Sequence, residues 1–425
     1  MPSVVTDFGT NRDAIVSAID AAKQGDGVVH FPAGTYEVDR VIDSLADSDG
    51  IVLHGEPGSE ILIAVKDGSG FRIGGAKNLT INGLDFFSTD DGDAATNALA
   101  GLDAAGTPKA CSILKIIDCE FHHFKIAPWR FSSVDTDGFW CIRNSIHDIK
   151  TDLQVSSDPL LADPDRPASG IPMSHLTNAS YIGNEIHDVD AGRHSPGSRG
   201  MYLSGGIVSD ILIQGNMIVN SGGIKVGRQH PRPGKEARRV MIVGNTLMDC
   251  MGAGINLAVS VFEATVVGNT ITSSATVPGG WINLGAEGGP VEDIVVTNNV
   301  VNLNGSLAGG MVVNNAVRVM VKNNRLLGSS DTPVAFGGVG IRVLGDSDIT
   351  LAGNEITQGF VNAIRLNRAI DGCTIEGNRI WDIELEGVEV ADTDTVAEIS
   401  DNQIALTHGH TAINLGTTGS DSGSL

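Results

Sequence analysis

The chain has 425 residues, 54 of them Gly, with aromatic residues at 4% and a formal net charge of −23. That charge disfavours nucleic acid as a partner, and no segment approaches the length of a membrane span. The five cysteines (Cys111, Cys119, Cys141, Cys250 and Cys373) are odd in number, scattered and free of any Cys-x-x-Cys pair, which excludes a disulfide frame or zinc site and marks them as small core residues.

Met1 to Asp7 lacks the basic and apolar regions of a signal peptide, leaving a secreted or periplasmic protein with its leader trimmed, a cytosolic protein, or part of a phage virion. Residues 11–23 follow as a helix. Ile15, Ile19 and Ala22 share one face, Asp13 lies near its start and Lys23 near its end, as the helix dipole prefers. Gly27 to Val38 then supplies two short strands around Pro32-Ala33-Gly34.

From about residue 75 the chain repeats. Asn144, Asn184, Asn216, Asn245, Asn269, Asn299, Asn324, Asn354, Asn378 and Asn402 recur at intervals of 40, 32, 29, 24, 30, 25, 30, 24 and 24 residues, a basal coil of 24 with additions. Each lies in a variant of apolar-x-Gly/Asn-Asn-x-Ile. Gly and Asn tolerate the left-handed conformation of a sharp corner, and a buried amide can bond the Asn one coil away. A second strand follows each rung, as in Gly254-Ile255-Asn256-Leu257 and Gly340-Ile341-Arg342-Val343, with apolar residues inward and a variable residue outward. A fixed period of this kind marks a solenoid, and the crossover rule favours right-handed winding. The expected fold is all-β: a single-domain right-handed parallel β-helix with an N-terminal capping α-helix and an asparagine ladder. Its expected divisions are a cap over 1–45, the β-helix over 46–416 and a flexible tail over 417–425.

Thr6-Asp7-Phe8-Gly9-Thr10, the helix, and the run from Gly27 to Tyr36 resemble the opening of the pectate-lyase-like right-handed parallel β-helix superfamily. Polysaccharide lyases, glycosidases, epimerases and phage tailspikes belong to it. The Asp-Pro-His-Glu or Asp-Pro-His-Asp motif of its alginate epimerase branch is absent; Asp163-Pro164-Asp165-Arg166 is a distant echo, and the paired Asp of polygalacturonases is missing. Fold alone does not specify reaction.

Extra sequence at 88–110, 151–170, 190–199 and 228–239 is expected to rise as stacked loops and wall a cleft. Residues 191–240 carry eight Lys or Arg against two acids, a local +6 in a −29 background, which would focus an anionic ligand such as an acidic polysaccharide. Outward positions of the second strand form the column Tyr202, Lys225, Asn256, Asn283, Val312, Arg342, Arg365, Glu389 and Asn414. This pattern suits β-elimination from a uronate. Tyr202, Lys225 or His175 could be the base and Arg199 or Arg228 the carboxylate clamp, with His230, Arg232, Asn256, Asn283, Glu287, Asp188 and Asp190 binding substrate. No protein metal site is expected; Ca2+ is the one cofactor candidate, as a bound divalent ion would also stabilise the enolate-like charge. His122, His147 and His187 should stack, with His123, Asp148 and Asp188 beside them, as a polar surface ladder. Two other readings compete: a glycoside hydrolase using a pair of acids, with Asp152, Asp163, Asp165, Asp188, Asp190 and Glu287 as candidates, and a noncatalytic tailspike-like glycan-binding protein, homotrimeric by analogy.

Overall fold

The computed structural model describes residues 3–415 apart from 67, 90–96, 126, 151–168, 191–198, 204–206, 228–235, 251, 274–280, 286–289, 304–308, 329–337, 346, 369, 393 and 407–410; the side chains of 130–135, 150, 169–175, 190 and 199 also lie outside the description. The chain forms two compact units, Met1–Gly222 and Gly223–Leu425.

In the first unit the helix runs over Arg12–Gln24 and buries Ala14, Ile15, Ala18, Ile19 and Ala22. Asn11 caps it, its side chain accepting from the Ala14 N–H at 3.0 Å, so one of the orphan donors of the first turn is satisfied. The opening strands are Val28–Phe31 and Gly34–Val38, as the Pro-Ala-Gly turn predicts. Later coils stack in parallel: Glu120–His122, Ser145–Lys150 and Glu185–Asp190 pair with one another. Residues 88–110 depart from the expected cleft-walling loop. They contain the strand Asn97–Ala100, fully buried, which pairs with Ser69–Arg72 and with Trp129 and Arg130. The apolar run Ala98-Leu99-Ala100 had to enter a coil; it lacks only the asparagine marker.

The second unit shows the repeat plainly. One coil comprises Thr246–Met248, Ile255–Leu257 and Val261–Val267, and each strand pairs in parallel with its counterpart one coil on. Ile242, Val266, Val296, Val321, Leu351 and Ile375 follow one another in register and are buried almost completely. Stacked β-branched and Leu side chains thus form a continuous apolar column, the main stabilising element of a solenoid.

The asparagines form the expected ladder. In the first unit Asn144 Nδ2 donates to Asn184 Oδ1 at 3.0 Å and Asn184 Nδ2 to Asn216 Oδ1 at 2.8 Å. In the second, the same bond links Asn245, Asn269, Asn299, Asn324, Asn354, Asn378 and Asn402 at 2.9–3.0 Å. Each Oδ1 also accepts a backbone N–H, as from Asn269 to Asn299 at 2.9 Å. Cys119 holds the rung before Asn144, its N–H bonding Asn144 Oδ1 at 3.0 Å.

The residue just before each rung is left-handed: Gly183, Gly215, Gly244, Gly268, Gly353 and Gly377, or Arg143, Asn298, Asn323 and Asp401, at φ between 53° and 67°. Two further left-handed positions recur, six residues before the rung (Glu263, Asp293, Arg318, Asp348) and four after it (Asp148, Asp188, Asn220, Asp249, Asp382). Where charged residues occupy these strained positions, neighbours pair across coils: Arg143 with Asp118 at 2.6 Å and Arg318 with Asp293 at 2.6 Å. At Gly268 an added Cβ would meet nothing within 4 Å. Gly268→Ala should therefore cost only the backbone penalty, about 1–2 kcal/mol in denaturant unfolding. At Gly285 the Cβ would lie 1.7 Å from the Asn314 carbonyl oxygen, so Gly285→Ala must displace backbone and cost clearly more than Gly268→Ala.

Candidate functional site

The second strand of the coil builds the candidate face. In the second unit its members include Ile224–Val226, Ile255–Leu257, Ile282–Leu284, Met311–Asn314, Val339–Leu344, Asn362–Leu366, Glu386–Val390 and Ile413–Leu415. Register places Lys225, Asn256, Asn283, Val312, Arg342, Arg365, Glu389 and Asn414 in one line, as the sequence predicts. The inward residues of the same strands, Ile255, Leu257, Ile282 and Leu284, are fully buried, so alternation leaves the column on the outer face.

Lys225 departs from a simple solvent-facing lysine. It is 5% exposed, withdrawn almost completely from water. Beyond it Asn283 Nδ2 donates to Asn256 Oδ1 at 3.1 Å, joining two outward amides of adjacent coils. Further along, Arg342 Nε donates to Asn367 Oδ1 at 3.0 Å, and Arg365 Nε lies 2.9 Å from Glu389 Oε2. Asn362, itself 2% exposed, donates to Glu386 at 2.7 Å and Glu389 at 2.8 Å. Asn362 and Glu386 escaped the sequence reading because the strands appeared to begin at Ala363 and Gly387. Their spacing of 24 residues, one basal coil, was the available signal.

In the first unit Arg199–Leu203 places Tyr202 in register with Pro172, and Tyr202 is partly buried. Ser169 pairs with Arg199. His175 lies further along the strand Ser169–Ile182, in register with Asp135 and beyond the residues that pair with the Tyr202 strand. The side chains of His175, Arg199 and Asp190, and residues Arg228, His230, Arg232 and Glu287 altogether, lie outside the described residues. So do Asp152, Asp163 and Asp165. Of the basic segment, Arg238 is described on another strand, Ala237–Val243. There it pairs with Glu236 at 2.8 Å and lies over the Phe262 ring at 4.5 Å, so it does not join the column.

Asp188 belongs to a different sheet. It occupies a left-handed corner (φ 52°) and bonds His187 Nδ1 at 2.9 Å. His122, His147 and His187 stack as the pattern predicts, with ring centroids 5.0 and 4.7 Å apart and planes within 3°, and Phe87 continues the stack at 5.4 Å. His147 bonds Glu120 and Asp148, each at 2.8 Å. Burial pulls its pKa down, but the two carboxylates outweigh burial and hold it above the ordinary histidine value. A raised folded pKa contributes stability that is fully present below the unfolded value near 6.5 and is lost as pH rises through the folded one. His147→Gln should thus flatten the decline in Tm between about pH 6 and 8, which thermal unfolding at stepped pH measures.

Among the described residues no three His, Cys, Asp or Glu side chains converge as a metal site. The five cysteines are buried and form no disulfide, and burial pushes Cys111 up to about 11 and Cys119 and Cys250 to about 12, which makes these three inert core thiols.

Stacked three-strand coils with a polar outer column on one sheet define a parallel β-helix with a face suited to an extended ligand. Over residues 280–421 the chain matches the family described as the right-handed β-helix region. Solved structures similar to it include the mannuronan C-5 epimerase AlgE6 A-module of Azotobacter vinelandii, at 14% identity and a TM-score of 0.57, covering 98% of this chain and 100% of that one. The surface adhesin PfbA of Streptococcus pneumoniae is also similar, at 13% identity and a TM-score of 0.56, covering 98% and 100%. A search of curated proteins by sequence finds no match. The chain has the right-handed parallel β-helix fold.

Proposed function

We propose that the protein is a carbohydrate-active β-helix that cleaves an acidic, uronate-containing polysaccharide by β-elimination. The observation that carries this reading is the buried amine of Lys225 at the head of an outward column of amides and guanidiniums. The base takes the proton next to the carboxylate, its electrons form the new double bond, and the glycosidic oxygen leaves. Lys225, Tyr202 and His175 are the candidate bases. Arg199 and Arg228 are the candidate groups that neutralise the carboxylate during enolate-like charge build-up, with His230, Arg232, Asn256 and Asn283 along the chain of sugars. The similar epimerase acts on mannuronan by its name, which fits a polyuronate ligand.

A noncatalytic glycan-binding role is the second reading, favoured by the similarity to a surface adhesin. Incubation with polyuronates separates the two. New ultraviolet absorbance from an unsaturated uronyl end is the expected result; reducing ends without it mean hydrolysis, and binding with neither means adhesion.

A further inference from the structure

The far part of the column carries a second constellation, remote from Lys225. Arg342 and Arg365 are direct neighbours in register on adjacent coils, with Cα atoms one strand spacing apart, roughly 4.8 Å. The Arg342 guanidinium is fixed through its Nε by the Asn367 amide oxygen of the following coil at 3.0 Å, and Arg365 is ion-paired with the Glu389 carboxylate of the following coil at 2.9 Å. Glu389 is itself only 18% exposed and is held by the Asn362 amide at 2.8 Å. Among the described residues the Nη groups of both arginines donate no hydrogen bond to the protein. Arg342 faces a neutral partner, so its charge is not offset by the group that orients it.

Two like charges side by side on one strand column repel unless an anion lies between them. Here the repulsion is not relieved by alternating signs, since only Arg365 has a carboxylate beside it. A guanidinium whose Nε is tied down presents its remaining N–H groups as a planar fork, the geometry that matches a carboxylate in two parallel bonds. Four strand steps separate Lys225 from Arg342 in the register, roughly 19 Å along the axis. A ligand touching both must be a chain of several sugars.

We infer that Arg342 and Arg365 form a carboxylate-binding subsite for a distal sugar of a linear polyuronate bound along the second sheet. The inference rests on the proposal that an acidic glycan is the ligand, and it adds that affinity depends on chain length. Occupants longer than the Lys225-to-Arg342 span engage the subsite; short oligomers do not reach it.

The test is titration calorimetry of polygalacturonate and polymannuronate, each as polymer and as a disaccharide, against the full chain and its Arg342→Ala, Arg342→Lys and Arg365→Lys variants. Losing a charge-assisted fork should weaken polymer binding roughly ten- to hundredfold while leaving disaccharide binding unchanged. The lysine variants keep the charge, and Arg365→Lys keeps Glu389 paired, so thermal unfolding at the wild-type temperature with weakened polymer binding marks loss of the fork itself. Polymer affinity unchanged in all three variants would overturn the subsite, whether or not elimination is detected. Arginine-dependent polymer binding without an unsaturated product would uphold the subsite and remove the lyase reading alone. Wild-type binding of neutral glycan in preference to either polyuronate would overturn both.

Discussion

Replacing Asn299 by Ala should destabilise the second unit by about 3–5 kcal/mol, among the largest effects of any conservative truncation outside the apolar column. Asn299 Oδ1 accepts from both the backbone N–H and the Nδ2 of Asn269, each at 2.9 Å, and its own Nδ2 donates to the Val266 carbonyl at 2.9 Å and to Asn324 Oδ1 at 2.9 Å. Alanine removes the acceptor of the Asn269 N–H and one of the acceptors of its Nδ2, and strips the Val266 carbonyl of a donor, at a position that is fully buried; each lost partner costs about 1–3 kcal/mol. Asn402 is the internal control. It makes the same bonds to Asn378, yet it is only partly buried, so water can replace part of what Ala removes and the cost should fall to about 1 kcal/mol. Equal losses at 299 and 402, read from urea midpoints, would mean that the ladder is ornamental.

Asn299→Asp sharpens the same argument. A carboxylate can still accept from Asn269, but it must face the Val266 carbonyl and Asn324 Oδ1, both acceptors, where the amide donated. Only the protonated acid can donate there, so the folded-state pKa of the new group rises above about 3.9. The stability it retains is present below that value and is lost as pH rises through the folded pKa. The variant should therefore approach the wild type near pH 4 and fall away toward neutrality. A pH-independent deficit would place the site in contact with water.

The asparagine ladder was legible because few residue types serve a left-handed corner followed by a buried amide. Gly268-Asn269 and Gly377-Asn378 therefore stand out of an otherwise β-branched background. The outward column was legible for the same reason: strict alternation fixes Asn256 and Arg342 on one face once the strand is placed. The bend six residues before each rung was not. Glu263 and Arg318 fill it as well as Asp293, and Glu and Arg have no preference for a positive φ; they are held there by the stacked coils and by pairs such as Arg318 with Asp293. Nor was the strand Asn97–Ala100 legible as part of a coil, since interval counting from asparagine to asparagine reads an unmarked coil as an insertion. Asp188 looked like a cleft residue by proximity to extra sequence, yet its backbone conformation and its bond to His187 account for it as a corner. Local chemistry fixed positions along a coil; it did not tell which of three sheet faces a loop residue would join.

Lys225→Met should lower elimination by roughly 10²–10⁴-fold if this amine is the base, the range for loss of a positioned proton acceptor. Methionine keeps an unbranched side chain of similar length at this buried position, and a thermal-unfolding control separates loss of the base from loss of stability. Polyuronate affinity should change by no more than a few fold, because the subsite at Arg342 and Arg365 remains, and the loss should appear in kcat rather than KM. Lys225→Arg is the informative companion. Its guanidinium stays charged at any workable pH and cannot accept the proton, so it should be as inactive as Met although it preserves the positive charge. If Arg restores turnover, Lys225 is a carboxylate clamp and the base lies elsewhere. Tyr202→Phe then decides between the remaining candidates: activity retained there leaves His175, and activity retained in Lys225→Met, Tyr202→Phe and His175→Gln alike removes the assignment of catalysis to these three residues.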